Sequence, residues 1–368
     1  MGHKDKIPFF GLAREYLVHK KAYLEIADRI FSHGQILQGN EVKEFEKDVA
    51  NLCKRNYAIS INSCTDGLYF SLLASGVQSG DEVLVTNFSF VASASCILRV
   101  EAKPVFVDIN ENFLMDLDKA KQLITNKTKA ILFVHLYGQM GNPNEIISFA
   151  EQNNLVLIED SAQAFGASYN YVRAGSIGHC SCLSFDPTKV LAAPASGGMV
   201  LTDDKNIAKK IKRLRYHGKD EQGEFVSQGF NSQMSTFVAA ILNYKLNQNS
   251  SWLDRRRKIA EYYINNLGEN IIAPLEIEGS KHIYHKFVIR LKMRDKLKQK
   301  LLEDGIETMI HYKKPLNLLP LFQNNTIENI NLIKSISASS EVLSLPIHPF
   351  LKDSEIEFIV DRIRKNFK

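Results

Sequence analysis

Lys189 is where the sequence first reads as chemistry. It stands in Asp186-Pro187-Thr188-Lys189, directly after the apolar run Ser181 to Phe185. Three other apolar runs end on equally reactive neighbours. Leu155 to Glu159 leads into Asp160, within Ile158-Glu159-Asp160-Ser161-Ala162-Gln163-Ala164. Tyr57 to Ile61 leads into Asn62-Ser63-Cys64-Thr65-Asp66-Gly67, and Glu82 to Thr86 is followed by Phe88-Ser89-Phe90. Ligands of open parallel α/β sheets bind beyond the carboxyl ends of the strands. A helix N-terminus carrying small hydroxyl residues is a ready phosphate site. Four strand ends therefore offer an amine, a carboxylate, a phosphate cradle and an aromatic face. Each has a plain structural explanation as well. A lysine after a strand is usually a surface lysine, an Asp there often caps a helix, Ser63 and Thr65 suit the same role, Phe90 suits a core, and Gly197-Gly198 suits a turn.

Taken together, the four match the needs of pyridoxal phosphate (PLP). That cofactor requires a lysine able to form a Schiff base and an acidic partner for its pyridinium nitrogen. The lysine needs a depressed pKa to hold the aldehyde and later move protons. An aromatic ring stacks on the pyridine. Spacing alone leaves both a PLP enzyme and an ordinary α/β domain open.

These residues need a frame. The strand-like runs, with Pro104 to Asp108, Ala130 to Val134 and Gly198 to Thr202 added, are continuous, rich in β-branched residues and separated by helical patterns. That pattern predicts a mostly parallel sheet flanked by helices on both faces. Helical periodicity covers residues 15–55, Thr65 to Ala74, Ser89 to Arg99 and Met234 to about Leu267. After Ala273 the style changes: a strand over Ile283 to Leu291, a helix over Arg294 to Asp304, a strand over Glu341 to Ile347 and a closing helix over Asp353 to Asn366. The prediction is an α/β chain with a large domain over residues 1–250 and a smaller α+β domain over 251–368, which the N-terminal helix can join.

Composition narrows the classes. The 368 residues are 45% hydrophobic and 24% charged, ordinary for a globular protein of two domains. The net charge of +5 is mild, and the basic residues are scattered, so nucleic acid is not an expected partner. The run Arg255-Arg256-Arg257-Lys258 reads as a solvated helix face. Five cysteines, Cys53, Cys64, Cys96, Cys180 and Cys182, are odd in number and lack zinc-site spacing. They read as buried thiols in a reducing compartment, with no structural metal. A polar N-terminus and the lack of a membrane-length apolar run make the cytoplasm the expected location, with no membrane partner.

The landmarks run on in a recognisable order: Gly39-Asn40-Glu41-Val42, Ser63-Cys64-Thr65-Asp66-Gly67-Leu68, Gly80-Asp81-Glu82-Val83, Val105-Phe106-Val107-Asp108, His135-Leu136-Tyr137-Gly138-Gln139, Asp160-Ser161-Ala162-Gln163-Ala164-Phe165-Gly166, Leu183 to Lys189, and Gly197-Gly198. In these the chain resembles the DegT/StrS family of PLP-dependent sugar aminotransferases, with an aspartate-aminotransferase-like fold, from about Pro8 to the last helix. The resemblance implies that Lys189 carries the cofactor and shuttles protons. It implies that Asp160 pairs with the ring nitrogen and Gln163 contacts the ring hydroxyl. The backbone of Cys64, with Thr65 and Ser184, would hold the phosphate, and Phe90 would stack on the ring. Asn231 would reach the cofactor phosphate of a neighbouring subunit, making the active unit a homodimer, while His311 and Tyr312 would lie near the sugar. The reaction implied is transfer of an amino group from an amino acid, L-glutamate, to a keto sugar. Most relatives use nucleotide-linked sugars for surface polysaccharide; an oxidised octulosonic acid of lipopolysaccharide is the alternative. Sugar dehydratases of the family replace the lysine with histidine, so Lys189 argues against them, and the intact set argues against a regulator without catalysis. Cys64 stands where the family has Gly, Gly67 where it has Ala, Ser196 where it has an acid, Gln233 where it has Arg, and His179 where it has Asp.

Overall fold

A computed structural model describes residues 6–325 and 331–366. In chain order its strands are β1 (Tyr57–Ile61), β2 (Glu82–Thr86), β3 (Lys103–Val107), β4 (Thr128–Val134), β5 (Val156–Asp160), β6 (Ser168–Tyr169), β7 (Val172–Arg173), β8 (Cys180–Ser184), β9 (Gly198–Thr202), β10 (Ser280–Lys281), β11 (Phe287–Arg290) and β12 (Val342–Leu345). Its α-helices are α1 (Leu12–His33), α2 (Asn40–Cys53), α3 (Cys64–Ala74), α4 (Ala92–Arg99), α5 (Leu117–Gln122), α6 (Pro143–Gln152), α7 (Lys205–Arg215), α8 (Thr236–Leu246), α9 (Asn249–Asn266), α10 (Arg294–Glu303), α11 (Ile333–Glu341) and α12 (Asp353–Asn366).

Seven strands form one sheet in the order β1-β9-β8-β5-β4-β2-β3. The pairs β2–β3, β2–β4, β4–β5 and β5–β8 are parallel; β8–β9 and β9–β1 are antiparallel. Only β9 therefore runs against the rest, and the carboxyl ends of β1, β2, β5 and β8 share one edge. Every residue of β2 and β8 is buried, as expected for strands covered on both faces. One core side places Leu68, Phe70 and Ile97 of α3 and α4 against Val83, Val85 and Ile158. The other places Ile146, Phe149 and Ala150 of α6 against Ile131, Phe133 and Leu157.

A separate core is built from Tyr263 of α9, Phe287 and Ile289 of β11, Leu297 and Leu301 of α10, Leu343 and Leu345 of β12, and Ile359 and Ile363 of α12. The strands β11 and β12 pair antiparallel, with Phe287 opposite Leu345. The N-terminal segment joins this unit: Ile7 lies in its core and bridges to Ile306, and Arg14 of α1 pairs with Glu355.

Several boundaries shift for local reasons. The helical stretch over 15–55 divides at Gly34, whose φ of 73° closes α1 with its amide on the Ile30 carbonyl. The stretch from Met234 divides into α8 and α9. Asp160 is the last residue of β5 rather than the residue after it. The basic run is not a solvated face: Arg256 is buried, and its guanidinium donates to the Tyr284 and Ile347 carbonyls. Its neighbour Arg257 pairs with Glu276. All five cysteines are free and buried. No helix among the described residues is long and apolar enough to cross a membrane.

Candidate active site

The strand ends converge on a cavity of about 440 Å³, within the usual range for a small-ligand site. Nine of the ten expected residues line it: Cys64, Thr65, Phe90, Asp160, Gln163, Ser184, Lys189, His311 and Tyr312. Asn231 does not. It is exposed and bridges to Tyr216 at the base of a hairpin.

Each side chain is placed by its element. The Ser63 side chain caps α3 by accepting from the Asp66 amide at 3.2 Å, so the helix begins at Cys64 on the cavity wall. First-turn amides of a helix have no partner within it and carry its positive dipole end. Beside it runs β9, whose Gly198 permits a close approach: a Cβ there would sit 2.4 Å from the Cys64 nitrogen and the Ser63 carbonyl carbon. At Gly67 a Cβ would meet Ile61 Cδ1 at 2.7 Å, so the missing methyl leaves room for that isoleucine.

Asp160 ends β5 facing the cavity and is buried. Its Oδ2 accepts from Ser93 Oγ at 2.8 Å and its Oδ1 from the Ala162 amide at 3.1 Å. Burial pushes its carboxyl up, and the two hydrogen bonds and the Lys189 charge only partly offset this. A buried carboxylate in that condition calls for a cation.

Lys189 follows β8 in a tight turn. The Asp186 carboxylate accepts from Thr188 N at 2.9 Å and Thr188 Oγ1 at 2.6 Å, and the Lys189 amide donates to the Asp186 carbonyl. Burial lowers the Lys189 pKa; the negative charges of Asp160 and Asp186 work the other way. An amine held so is more readily neutral and nucleophilic.

Gln163 is fixed at both ends of its amide. Its Oε1 accepts from the Tyr137 backbone at 3.1 Å, and its Nε2 donates to the Tyr312 hydroxyl at 3.1 Å. The Tyr137 hydroxyl in turn donates to the His311 carbonyl. His311 Nδ1 and Ser344 Oγ share a hydrogen bond of 2.8 Å, and burial pushes the imidazole down to about 3, so it is neutral. Phe90 stands at the rim, 54% exposed, with its ring 6.5 Å from that of Tyr312.

Sequence reasoning missed Ser93, His285 and Lys286. Ser93 lies within the first turn of α4 and carries no motif. His285 and Lys286 both line the cavity. Their trace in the sequence is slight: both are polar residues within the mostly apolar run Ile283 to Leu291, as is Arg290.

With this geometry in hand, relatives are informative. The sequence profile of the DegT/DnrJ/EryC1/StrS aminotransferase family matches residues 19–364. The chain is 36% identical to the "pleiotropic regulatory protein" of Geobacillus stearothermophilus, over 98% of this chain and 99% of that one. It is 35% identical to the dTDP-3-amino-3,6-dideoxy-alpha-D-galactopyranose transaminase of Aneurinibacillus thermoaerophilus, again over 98% and 99%. Among solved structures, DesV from S. venezuelae, in complex with a ketimine intermediate, superposes with a TM-score of 0.95 at 31% identity, covering 98% of each chain. A profile spanning nearly the whole chain, two relatives of equal length and a matching fold lead to one conclusion: this chain belongs to the DegT/DnrJ/EryC1/StrS aminotransferase family.

Proposed function

We propose that this sugar aminotransferase takes the amino group of L-glutamate and delivers it to a nucleotide-linked keto sugar for surface polysaccharide or lipopolysaccharide synthesis in the cytoplasm. The observation that carries the reading is the facing pair of Lys189 and Asp160 in one cavity with the α3 N-terminus.

The cofactor is pyridoxal phosphate, and the donor set fits it. Among the described residues the buried Asp160 carboxylate forms no ion pair, though it feels the Lys189 charge. The α3 amides of Cys64 and Thr65 with the Ser184 hydroxyl suit a phosphate, and the half-exposed Phe90 ring suits a stacked pyridine. When bound, that group supplies a carbonyl for the incoming amine and a ring that delocalises the electron pair left on the donor carbon. Lys189 Nζ would hold it and, once free, would move the proton between donor carbon and cofactor. Asp160 keeps the ring nitrogen positively charged. Gln163, locked between Tyr137 and Tyr312, orients the ring hydroxyl. His311 and Tyr312 face the sugar side of the cavity.

A nucleotide-linked sugar is favoured because the named transaminase among the relatives acts on one. One relative bears a regulatory name; a complete lysine, carboxylate and phosphate cradle supports catalysis here. We also propose residues 1–250 and 251–368 as two domains; the second has a core of its own that Ile7 joins, while Leu316, Phe322 and Leu332 pack into the core of the first. A homodimer is proposed with Asn231 serving the neighbouring subunit. The apolar side chains left exposed on α1 support it, Leu17 at 71% and Phe31 at 61%, as does Phe225 of the hairpin at 70%.

The test is a spectrum followed by a substrate panel. The purified enzyme should absorb in the visible, bleach with L-glutamate, and recover the colour with a nucleotide-linked keto sugar. Lys189→Ala should lose catalysis by about a thousandfold or more. Native-rate turnover of both half-reactions by that variant would end this reading.

A further inference from the structure

Lys286 is a cation in an unusual position. It is 6% exposed, yet it lies on the wall of the main cavity and of a small void behind Lys189. Its ammonium sits 4.5 Å from the Phe10 ring centroid and 5.1 Å from that of Phe9. Among the described residues it has no hydrogen-bond or ion-pair partner. Of the charges near it, Lys189 and Arg256 are also positive; Asp186 works in its favour, but that carboxylate is already held by Thr188. Burial, then those like charges, push its ammonium well below the ordinary lysine range. Aromatic faces compensate only part of the cost of burying a cation. This is a site short of one negative charge.

We propose that Lys286 is a specificity-determining residue that binds a substrate carboxylate beside the reacting amine. The inference rests on the transaminase reading and names which group of this chain selects the substrate. A carboxylate fits better than a diphosphate. The wall presents one ammonium over an apolar aromatic floor, matching a single charge, and the phosphate cradle lies elsewhere, at Cys64 and Thr65. Position points the same way. Lys286 also borders the void behind Lys189, at the reacting end of the cavity. A carboxylate on the carbon that bears the amine is two bonds from the reacting nitrogen, whereas a nucleotide diphosphate is several bonds from a sugar ketone. The carboxylate could come from the amino donor or from a sugar acid.

The test compares the holoenzyme with Lys286→Met and Lys286→Arg. Calorimetry with glutarate, a dicarboxylate that cannot react, should show about 30-fold weaker binding by the Met variant, with most of it restored by Arg. In the donor half-reaction the KM for L-glutamate should rise by a similar factor, with the limiting rate nearly unchanged. The second half-reaction is run with keto sugars that carry or lack a carboxyl group. Losses with glutamate and glutarate assign the donor; a loss confined to the carboxylated sugar assigns a sugar acid; either supports the carboxylate site. Unchanged affinity for every carboxylate, or a loss confined to uncarboxylated nucleotide sugars, overturns it. Lys286→Gln, a polar side chain of similar reach, provides the same comparison should the Met variant misfold. The donor arm contains no sugar, so a wrong sugar class would leave it intact. Failure of the unmodified enzyme to react with any amino acid would instead count against the transaminase reading itself.

Discussion

At the scale of single residues, the site works by opposed environments. Burial raises the Asp160 carboxyl and lowers the Lys189 amine, so each group by itself tends toward neutrality. A cationic ring nitrogen reverses the first tendency by giving the carboxylate its counter-charge. Asp160→Asn keeps an oxygen that can accept from Ser93 Oγ or the Ala162 amide, but it cannot hold a positive ring nitrogen. The expected result is a fall in kcat of about a thousandfold with little change in thermal midpoint. A variant that loses stability in proportion to activity would make Asp160 structural only. Cys64 fits the same logic. In the proposed reading its backbone amide serves the phosphate, and burial pushes its thiol well up, so the side chain stays protonated.

At the scale of elements, the strand ends are held in register by a residue one position before Asp160. Glu159 points to the other face of the sheet and is fully buried. Its Oε1 accepts from His135 Nε2 at 3.0 Å, Ser161 Oγ at 2.9 Å and the Gly175 amide at 2.9 Å. Its Oε2 accepts from the Ile177 amide at 3.1 Å and Ser181 Oγ at 2.5 Å. His135 Nδ1 accepts from the Gly141 amide, so its proton is on Nε2. These bonds tie β4, β5 and β8 together beside the cavity. Burial alone would raise the Glu159 pKa, but the hydrogen bonds from His135, Ser181 and Gly175 hold it below the ordinary 4.5. A depressed carboxylate stabilises the fold fully above that ordinary value and loses its contribution as pH falls through the lower folded value. Glu159→Gln should cost about 3 kcal/mol at neutral pH, measured by urea unfolding. The gap between variant and parent should close on acidification below 4.5; a constant gap down to pH 3 would contradict the assignment.

The elements also mark what could be read in advance. Central strands were legible because each is a continuous apolar run closed by a turn, and Asp160 and Lys189 stood out because the chemistry sits where those runs stop. Helix divisions were less legible. The break between α8 and α9 falls in Asn247-Gln248, polar residues equally at home on a helix surface. Arg256 was misread because periodicity shows that a basic run is helical, not which arginine finds the Tyr284 and Ile347 carbonyls. Lys286 was missed because it precedes a strand, on a wall that forms only when residues far apart in sequence, Phe9, Phe10 and Lys189, come together.

At the scale of the whole molecule, the question is whether one chain makes a complete site. Nine of the expected residues meet in a single cavity, and Asn231 stands apart on an exposed hairpin. The apolar side chains on α1 and that hairpin face solvent in the isolated chain. The proposed homodimer would cover these side chains, and an isologous pair would do so on both copies. Leu17→Glu with Phe31→Glu should shift sedimentation from dimer to monomer and remove most activity. Asn231→Ala should weaken cofactor retention by about tenfold, the loss expected for one hydrogen bond to a charged group. Complementation then decides whose site Asn231 serves. In a mixed dimer of Lys189→Ala and Asn231→Ala chains, an Asn231 acting across the interface leaves one site with an intact Lys189 and an intact Asn231. Measured at a cofactor concentration that leaves the Asn231→Ala dimer mostly empty, activity should therefore return on mixing after reversible dissociation. An Asn231 acting within its own chain leaves no native site in the mixed dimer, and mixing would restore nothing.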